Sequence, residues 1–191
     1  MLPYDDRSDS TKIMERQKWI DHIFNLGLDP GWATNVISRL QDTSIRLQHY
    51  CKSLSNQELI YKPNGAWSIK EHLGHLIDLE PLHQKRLKEF VDMKEYLTMA
   101  DMSNTATEKA DHNSESLDNL LSDFNGSRND LITEYHTLSE ESLLHDSIHP
   151  RLKVRMKPVD LLFFVAEHDD HHLAGIQEII RELKNRETVI N

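Results

Sequence analysis

Residues 158–186 have the sequence PVDLLFFVAEHDDHHLAGIQEIIRELKNR, which predicts one long helix that begins at Pro158. Proline suits the first turn of a helix, where its missing N–H is not needed. At about 100° per residue, the apolar positions fall within an arc of roughly 80°. This stripe holds two histidines one turn apart among aliphatic side chains, in the order Leu161, Val165, His168, His172, Ile176, Ile179 and Leu183. Such a face must be buried against other helices.

Four other segments have the same helical period and lie at residues 11–25, 35–54, 68–92 and 114–138. The third of them opens with a capping box, in which Ser68 and Glu71 satisfy free amides of the first turn. Four long amphipathic helices after a leading one predict an all-α four-helix bundle with an extra N-terminal helix. The middle connection, about 20 residues long, can join two parallel helices, which disfavours a plain up-down-up-down order.

The composition and charge of the chain exclude several classes of fold and function. The 191 residues contain only 6 Gly and 6 Pro and no phosphate-binding glycine motif, which disfavours β-sandwich and nucleotide-binding α/β folds. A net charge of −10 disfavours binding to nucleic acid or a membrane surface. Cys51 is the single cysteine and excludes an internal disulfide. Since no apolar run is long enough to cross a membrane and residues 1–10 are polar, we expect a cytoplasmic protein.

The histidine pair of the last helix is the main chemical signal among 12 histidines. Two buried imidazoles need partners, and a divalent cation bound at i and i+4 satisfies both. A core pair hydrogen-bonded to carboxylates is an equal alternative. A third ligand must come from another helix, and residues 68–92 offer His72, His75 and His83. Helical projection alone favours His72, with His75 on the flank of the apolar stripe.

Two motifs resemble those of the DinB/YfiT-like superfamily. Residues 67–78, WSIKEHLGHLID, are similar to the family pattern W-[ST]-x-x-E-x-x-x-H-L-x-D. Residues 168–176, HDDHHLAGI, are similar to its last-helix pattern H-x-x-H-H-L-x-x-I. The resemblance covers about residues 32–186 and departs from many members at Gly175, where a polar residue is common.

The resemblance implies a bundle with up-down-down-up order and a metal bound by His75, His168 and His172, in place of His72. We therefore expect a bundle domain at residues 32–191 and a helical extension at residues 1–31 that covers one end of it. Imidazole ligands suit several transition metals, of which we expect zinc or nickel.

Three histidine ligands leave an open position for a small-molecule substrate, as in catalytic zinc sites. The first hypothesis is a metal-dependent hydrolase, with Asp78 as a carboxylate behind the ligands or as a base. The second, implied by other family members, is a thiol S-transferase that uses a bacillithiol-type cofactor. Such a cofactor carries carboxylates, and Arg151 and Arg155 lie in a basic link that could bind them. The third is a non-catalytic, stress-related metal-binding bundle.

Apolar side chains of the N-terminal extension also predict an oligomer. Trp19, Ile20, Ile23 and Phe24 supply surface that a single bundle does not need. We therefore expect a homodimer with an apolar interface.

Overall fold

Four long helices form the bundle in the computed structural model, which describes residues 16–190 except the side chains of Glu187, Val189 and Ile190. In chain order the helices are α1 (Ala33–Cys51), α2 (Asn56–Leu59), α3 (Ile69–Val91), α4 (Thr105–Lys109), α5 (Leu117–His136), α6 (Glu140–Leu144) and α7 (Pro158–Ile190). A small antiparallel hairpin of β1 (Ser147–Ile148) and β2 (Arg155–Met156) precedes α7. The four long helices expected from the sequence are confirmed. Within the described range, every helix is too short or too polar to cross a bilayer.

Helices α1 and α7 run in the same direction. Arg39 near the start of α1 donates to the carbonyl of Ala166, at 3.4 Å. Arg46, two turns later, pairs with Asp170 at 2.5 Å. Because the residue numbers rise together along the contact, the two helices are parallel.

Helices α3 and α5 form the second parallel pair. Lys70 donates to the carbonyl of Glu115, just before α5, and Gln84 donates to the carbonyl of Ser127 at 3.4 Å. The end of α1 packs with the start of α3, since one apolar cluster contains Leu47, Cys51, Ile69 and Leu73. The order is therefore up-down-down-up, as expected, and the long middle connection returns the chain to the start of α5.

A buried polar layer, made of Thr43, Glu80, Arg128 and Asp169, divides the core into two apolar clusters. Arg128 donates to Glu80 at 2.7 Å and to Asp169 at 3.0 Å, and Thr43 donates to Asp169 at 2.8 Å. Burial raises the pKa of Glu80 to about 7, although Arg128 partly offsets this. Each member comes from a different long helix, so the layer ties the four together.

The N-terminal segment differs from the sequence prediction of a helix over residues 11–25. Its described part, from residue 16 onward, has only a 3-10 turn at Trp19–Asp21 before extended chain, and residues 11–15 lie outside the described range. The physical reason is tertiary anchoring. Trp19 packs on Phe164 with ring centroids 5.2 Å apart, and the buried Asp160 carboxylate accepts from Gly27 N at 2.8 Å. The division of the chain at residue 32 stays a prediction.

Candidate metal centre

The structure brings His75, His168 and His172 together between α3 and α7. One ring nitrogen of each lies within 4.8 Å of the other two, and all three side chains are buried. The Nε2 atoms of His168 and His172 are 3.1 Å apart. Two nitrogens that each lie about 2.1 Å from one cation are this far apart when the nitrogen–cation–nitrogen angle is roughly 95–100°. The three residues therefore fit a divalent transition metal.

Local structure sets the position of each histidine. The predicted capping box is present, with Ser68 accepting from Glu71 N while the Glu71 carboxylate accepts from Ser68 N. This starts α3 so that His75 follows two turns later on the side that faces α7. His168 and His172 are one turn apart on α7, so both side chains project toward α3.

A chain of hydrogen bonds orients His75 from behind. Its Nδ1 donates to Thr107 Oγ1 at 3.0 Å, and that hydroxyl donates to Asp78 Oδ2 at 2.7 Å. Because the Thr107 hydrogen is used on Asp78, the His75 proton sits on Nδ1 and its Nε2 lone pair is free for a metal. His112 binds the same Asp78 oxygen at 3.0 Å. Gly74 makes room for His112, since a Cβ there would lie 2.2 Å from its ring.

His172 has a partner on its outer side as well. Its Nδ1 lies 2.8 Å from His72 Nδ1, so His72 supports the cluster from outside rather than joining it. The Trp67 ring packs against two histidines of the triad. Its centroid lies 6.0 Å from that of His172, on which it stacks, and 4.7 Å from that of His75, to which it is tilted. Gly175 leaves space for His72, because a Cβ there would lie 3.1 Å from that ring.

Burial keeps the cluster neutral. It lowers the pKa of His75 to about 4, and it holds the pKa values of His168 and His172 well below the usual range. The neighbouring imidazoles lower both of the latter pKa values further. Neutral imidazole is the form that binds metals, so the triad is ready to bind a cation at neutral pH.

The triad opens into a cavity of about 380 Å³. Its apolar wall comes from side chains of α3, the middle connection, α7 and the N-terminal segment, namely Leu79, Leu82, Met99, Met102, Phe164 and Trp19. The Trp19 ring lies edge-on to His168 at 4.9 Å and so covers one side of the triad. The N-terminal segment is thus part of the candidate site.

The other residues proposed from the sequence fall in different places. Arg151 lines the cavity. Arg155 does not: its side chain is 61% exposed and pairs with Asp146. Asp78 lies behind His75 and outside the cavity wall. It can orient the His75 ring through Thr107, but it is not placed to act as a base on a substrate.

Sequence reasoning missed several residues at this site. Thr107 and His112 lie in a polar, non-periodic connection that gives no pattern to read. His149 is buried and lines the cavity beside the triad, and the only available signal for it was the high number of histidines. His83, one of the three histidines that residues 68–92 offered, is buried in the cavity wall but does not belong to the triad.

Three comparisons bear on the family. One solved structure similar to this one is YfiT from Bacillus subtilis, described as a probable metal-dependent hydrolase with an unusual four-helix bundle topology. The two share 17% sequence identity with a TM-score of 0.72, over 85% of this chain and 94% of YfiT. No curated protein matches the sequence significantly. The model of the DinB superfamily matches residues 39–176, which is most of the chain, and this protein therefore belongs to the DinB superfamily.

Proposed function

We propose that this protein is a metal-dependent hydrolase whose divalent cation, zinc or nickel, is held by His75, His168 and His172. The observation that carries the proposal is a buried, neutral histidine triad at the wall of a substrate-sized cavity. Similarity to YfiT supports it, because that protein is described as a probable metal-dependent hydrolase. With three protein ligands, a bound cation keeps an open position and supplies Lewis acidity and an activated water.

The protein's own residues prepare the site for this reaction. The Thr107–Asp78 pair holds the His75 ring in the tautomer that a ligand needs. Trp19 and Trp67 limit access of bulk water to the triad, and the apolar wall holds the body of a small molecule. In the hydrolysis, a water oxygen bonds to the substrate carbonyl carbon, the carbon–oxygen or carbon–nitrogen bond breaks, and the leaving group departs with a proton.

A thiol S-transferase is the second candidate, and one observation favours it. Asp101 is the one carboxylate of the described cavity wall, and its hydrogen bonds to Ser103 and Thr105 lower its pKa. It is therefore a weak base. A thiol transferase would need no such base, because a cation held by the triad would favour the deprotonated form of the thiol.

A turnover experiment tests the proposal. Chelator-treated full-length protein is loaded with Zn²⁺ or Ni²⁺ and assayed on nitrophenyl esters and anilides, with and without an added low-molecular-weight thiol. We expect metal-dependent turnover without thiol that is lost in His172→Ala. His136→Ala is the matched control, because His136 is exposed at the end of α5.

The alternative outcomes are distinct. If turnover requires the thiol, the protein is a thiol S-transferase rather than a hydrolase. If the protein binds metal fully but has neither activity, and the metal raises its melting temperature, the non-catalytic role is supported and both enzyme proposals are wrong.

A further inference from the structure

The cavity wall next to the triad carries buried polar atoms that lack a partner in the described part of the chain. His149 and His83 are almost fully buried, and among the residues that the structure describes, His149 Nε2, His83 Nδ1 and Arg151 Nη2 have no hydrogen-bond partner. All three residues line the same cavity as the triad. Buried polar atoms are rarely left unpaired in folded proteins. Three of them on one wall indicate a place where a ligand supplies the acceptors.

The protonation of His149 can be read from its contacts. The backbone N–H of Leu152 donates to His149 Nδ1 at 3.2 Å. Nδ1 is therefore the acceptor, and in the neutral ring the proton is on Nε2. Burial lowers the pKa of this imidazole to about 3, so the ring is neutral at pH 7. The unpartnered atom is consequently an N–H donor.

The same wall is cationic in a chain of net charge −10. Burial lowers the pKa of Arg151. The guanidinium of Arg86, which is 1% exposed, donates through Nε and Nη2 to the carbonyl of Thr98, at 3.0 and 2.9 Å. Burial lowers the pKa of Arg86 to about 10; the Glu89 carboxylate opposes this shift, and the charge of Arg151 adds to it. Two cations near each other with a neutral N–H donor form a binding site for an anion.

The anion site lies one aromatic ring away from the triad. The ring centroids of Trp19 and His168 are 4.9 Å apart, and Cζ of the Arg151 guanidinium lies 5.8 Å from the Trp19 ring centroid. Phe164 likewise contacts His149 at 5.0 Å and Arg151 at 5.9 Å. A small molecule can therefore reach the triad with one end and the cationic wall with the other.

We infer that the substrate is a small amphiphilic molecule with a carboxylate, which Arg151, His149 and Arg86 bind while its reacting carbonyl lies at the histidine triad. The inference rests on the proposed function for the position of the reacting group. The carboxylate site itself depends only on the cavity wall. The apolar side chains of Leu79, Leu82 and Met102 line the same cavity and can hold an aliphatic body.

Hexanoate and its neutral isostere hexanamide test the inference by isothermal titration calorimetry on the full-length protein as purified, with metal content measured in parallel. We expect hexanoate to bind more tightly than hexanamide. Arg151→Gln should weaken hexanoate binding about tenfold or more, since it removes a charge-assisted hydrogen bond, and should not change hexanamide binding. Arg151→Lys should recover part of the loss. Arg155→Gln is the matched control and should stay within twofold of wild type.

Equal affinity of hexanoate and hexanamide, equal hexanoate affinity in wild type and Arg151→Gln, or absence of hexanoate binding at millimolar concentration each overturns the inference. The wild type and the three variants are compared at equal metal content, so the differences in affinity isolate the arginine. Failure of the hydrolase assay leaves this comparison intact, and the two claims are therefore refuted separately.

Discussion

Replacement of Thr107 by valine should weaken metal binding without altering any metal ligand. Thr107 is buried, and its hydroxyl accepts from His75 Nδ1 at 3.0 Å and donates to Asp78 at 2.7 Å. Valine has nearly the same shape but no acceptor. In the metal-free variant, His75 can move its proton to Nε2 and direct it into the cavity. Metal binding needs that nitrogen free, so it forces an unpaired proton onto buried Nδ1.

The cost of that unpaired donor sets the magnitude. An unsatisfied buried donor costs about 1–3 kcal/mol, which corresponds to roughly 5- to 150-fold in affinity. Loss of such a supporting hydrogen bond typically weakens metal binding by about 10- to 100-fold. We therefore expect the Kd for Zn²⁺ to rise by about 10- to 100-fold in Thr107→Val, measured by competition with a chromophoric chelator.

Thr105→Val is the matched control for this experiment. Thr105 lies on the same short helix, and its hydroxyl contacts Ser103 at 2.8 Å on the exposed side. Its Kd should equal that of wild type. A Thr107→Val protein that binds Zn²⁺ within twofold of wild type, or an equal loss in Thr105→Val, refutes the proposed support of His75.

Four further predictions follow from the fold and the site. His172→Ala should abolish stoichiometric metal binding by elemental analysis and His171→Ala should spare it; equal effects would contradict the assignment. Arg128→Met should lower the free energy of unfolding in urea by about 3–5 kcal/mol, because it leaves buried carboxylates without their cation; a loss below 1 kcal/mol would contradict this. Burial lowers the pKa of His149 from 6.5 to about 3, so the unfolded chain binds more protons than the folded one between these pH values. The free energy of unfolding should therefore decrease as the pH is lowered below about 6.5. Glu80 acts in the opposite sense, since its pKa is raised to about 7; urea midpoints at pH 7.5 and 5.0 measure the balance, and His149→Gln should reduce the difference. The expected homodimer is checked by light scattering at tens of micromolar, where a monomeric mass would exclude it.

The sequence was sufficient for the helices but ambiguous for the third ligand. Projection treats all aliphatic positions of α3 as one face, although α3 packs against both α5 and α7. The side that faces α7 contains His75, while His72 contacts the cluster from outside. Only the family motif resolved this choice, because single-helix geometry has no information about neighbouring helices.

The loop residues were less accessible for two physical reasons. Thr107 and His112 reach the site because the middle connection passes over α3, and nothing in their local sequence indicates that path. Arg151 and Arg155 look equivalent in a basic link. On β2 the side chains alternate, with Met156 buried and Arg155 exposed, so only Arg151 reaches the cavity.

Residues 168–172 of α7 contact four different parts of the fold, and these contacts fix the rotation of the helix. His168 and His172 face α3, Asp169 binds Arg128 of α5, Asp170 binds Arg46 of α1, and His171 lies 2.7 Å from Arg16 of the N-terminal segment. A shift by one residue turns a helix by about 100° and would break all of these contacts together. The bundle contacts therefore hold the two histidines in place, and a bound cation need not organise the helix.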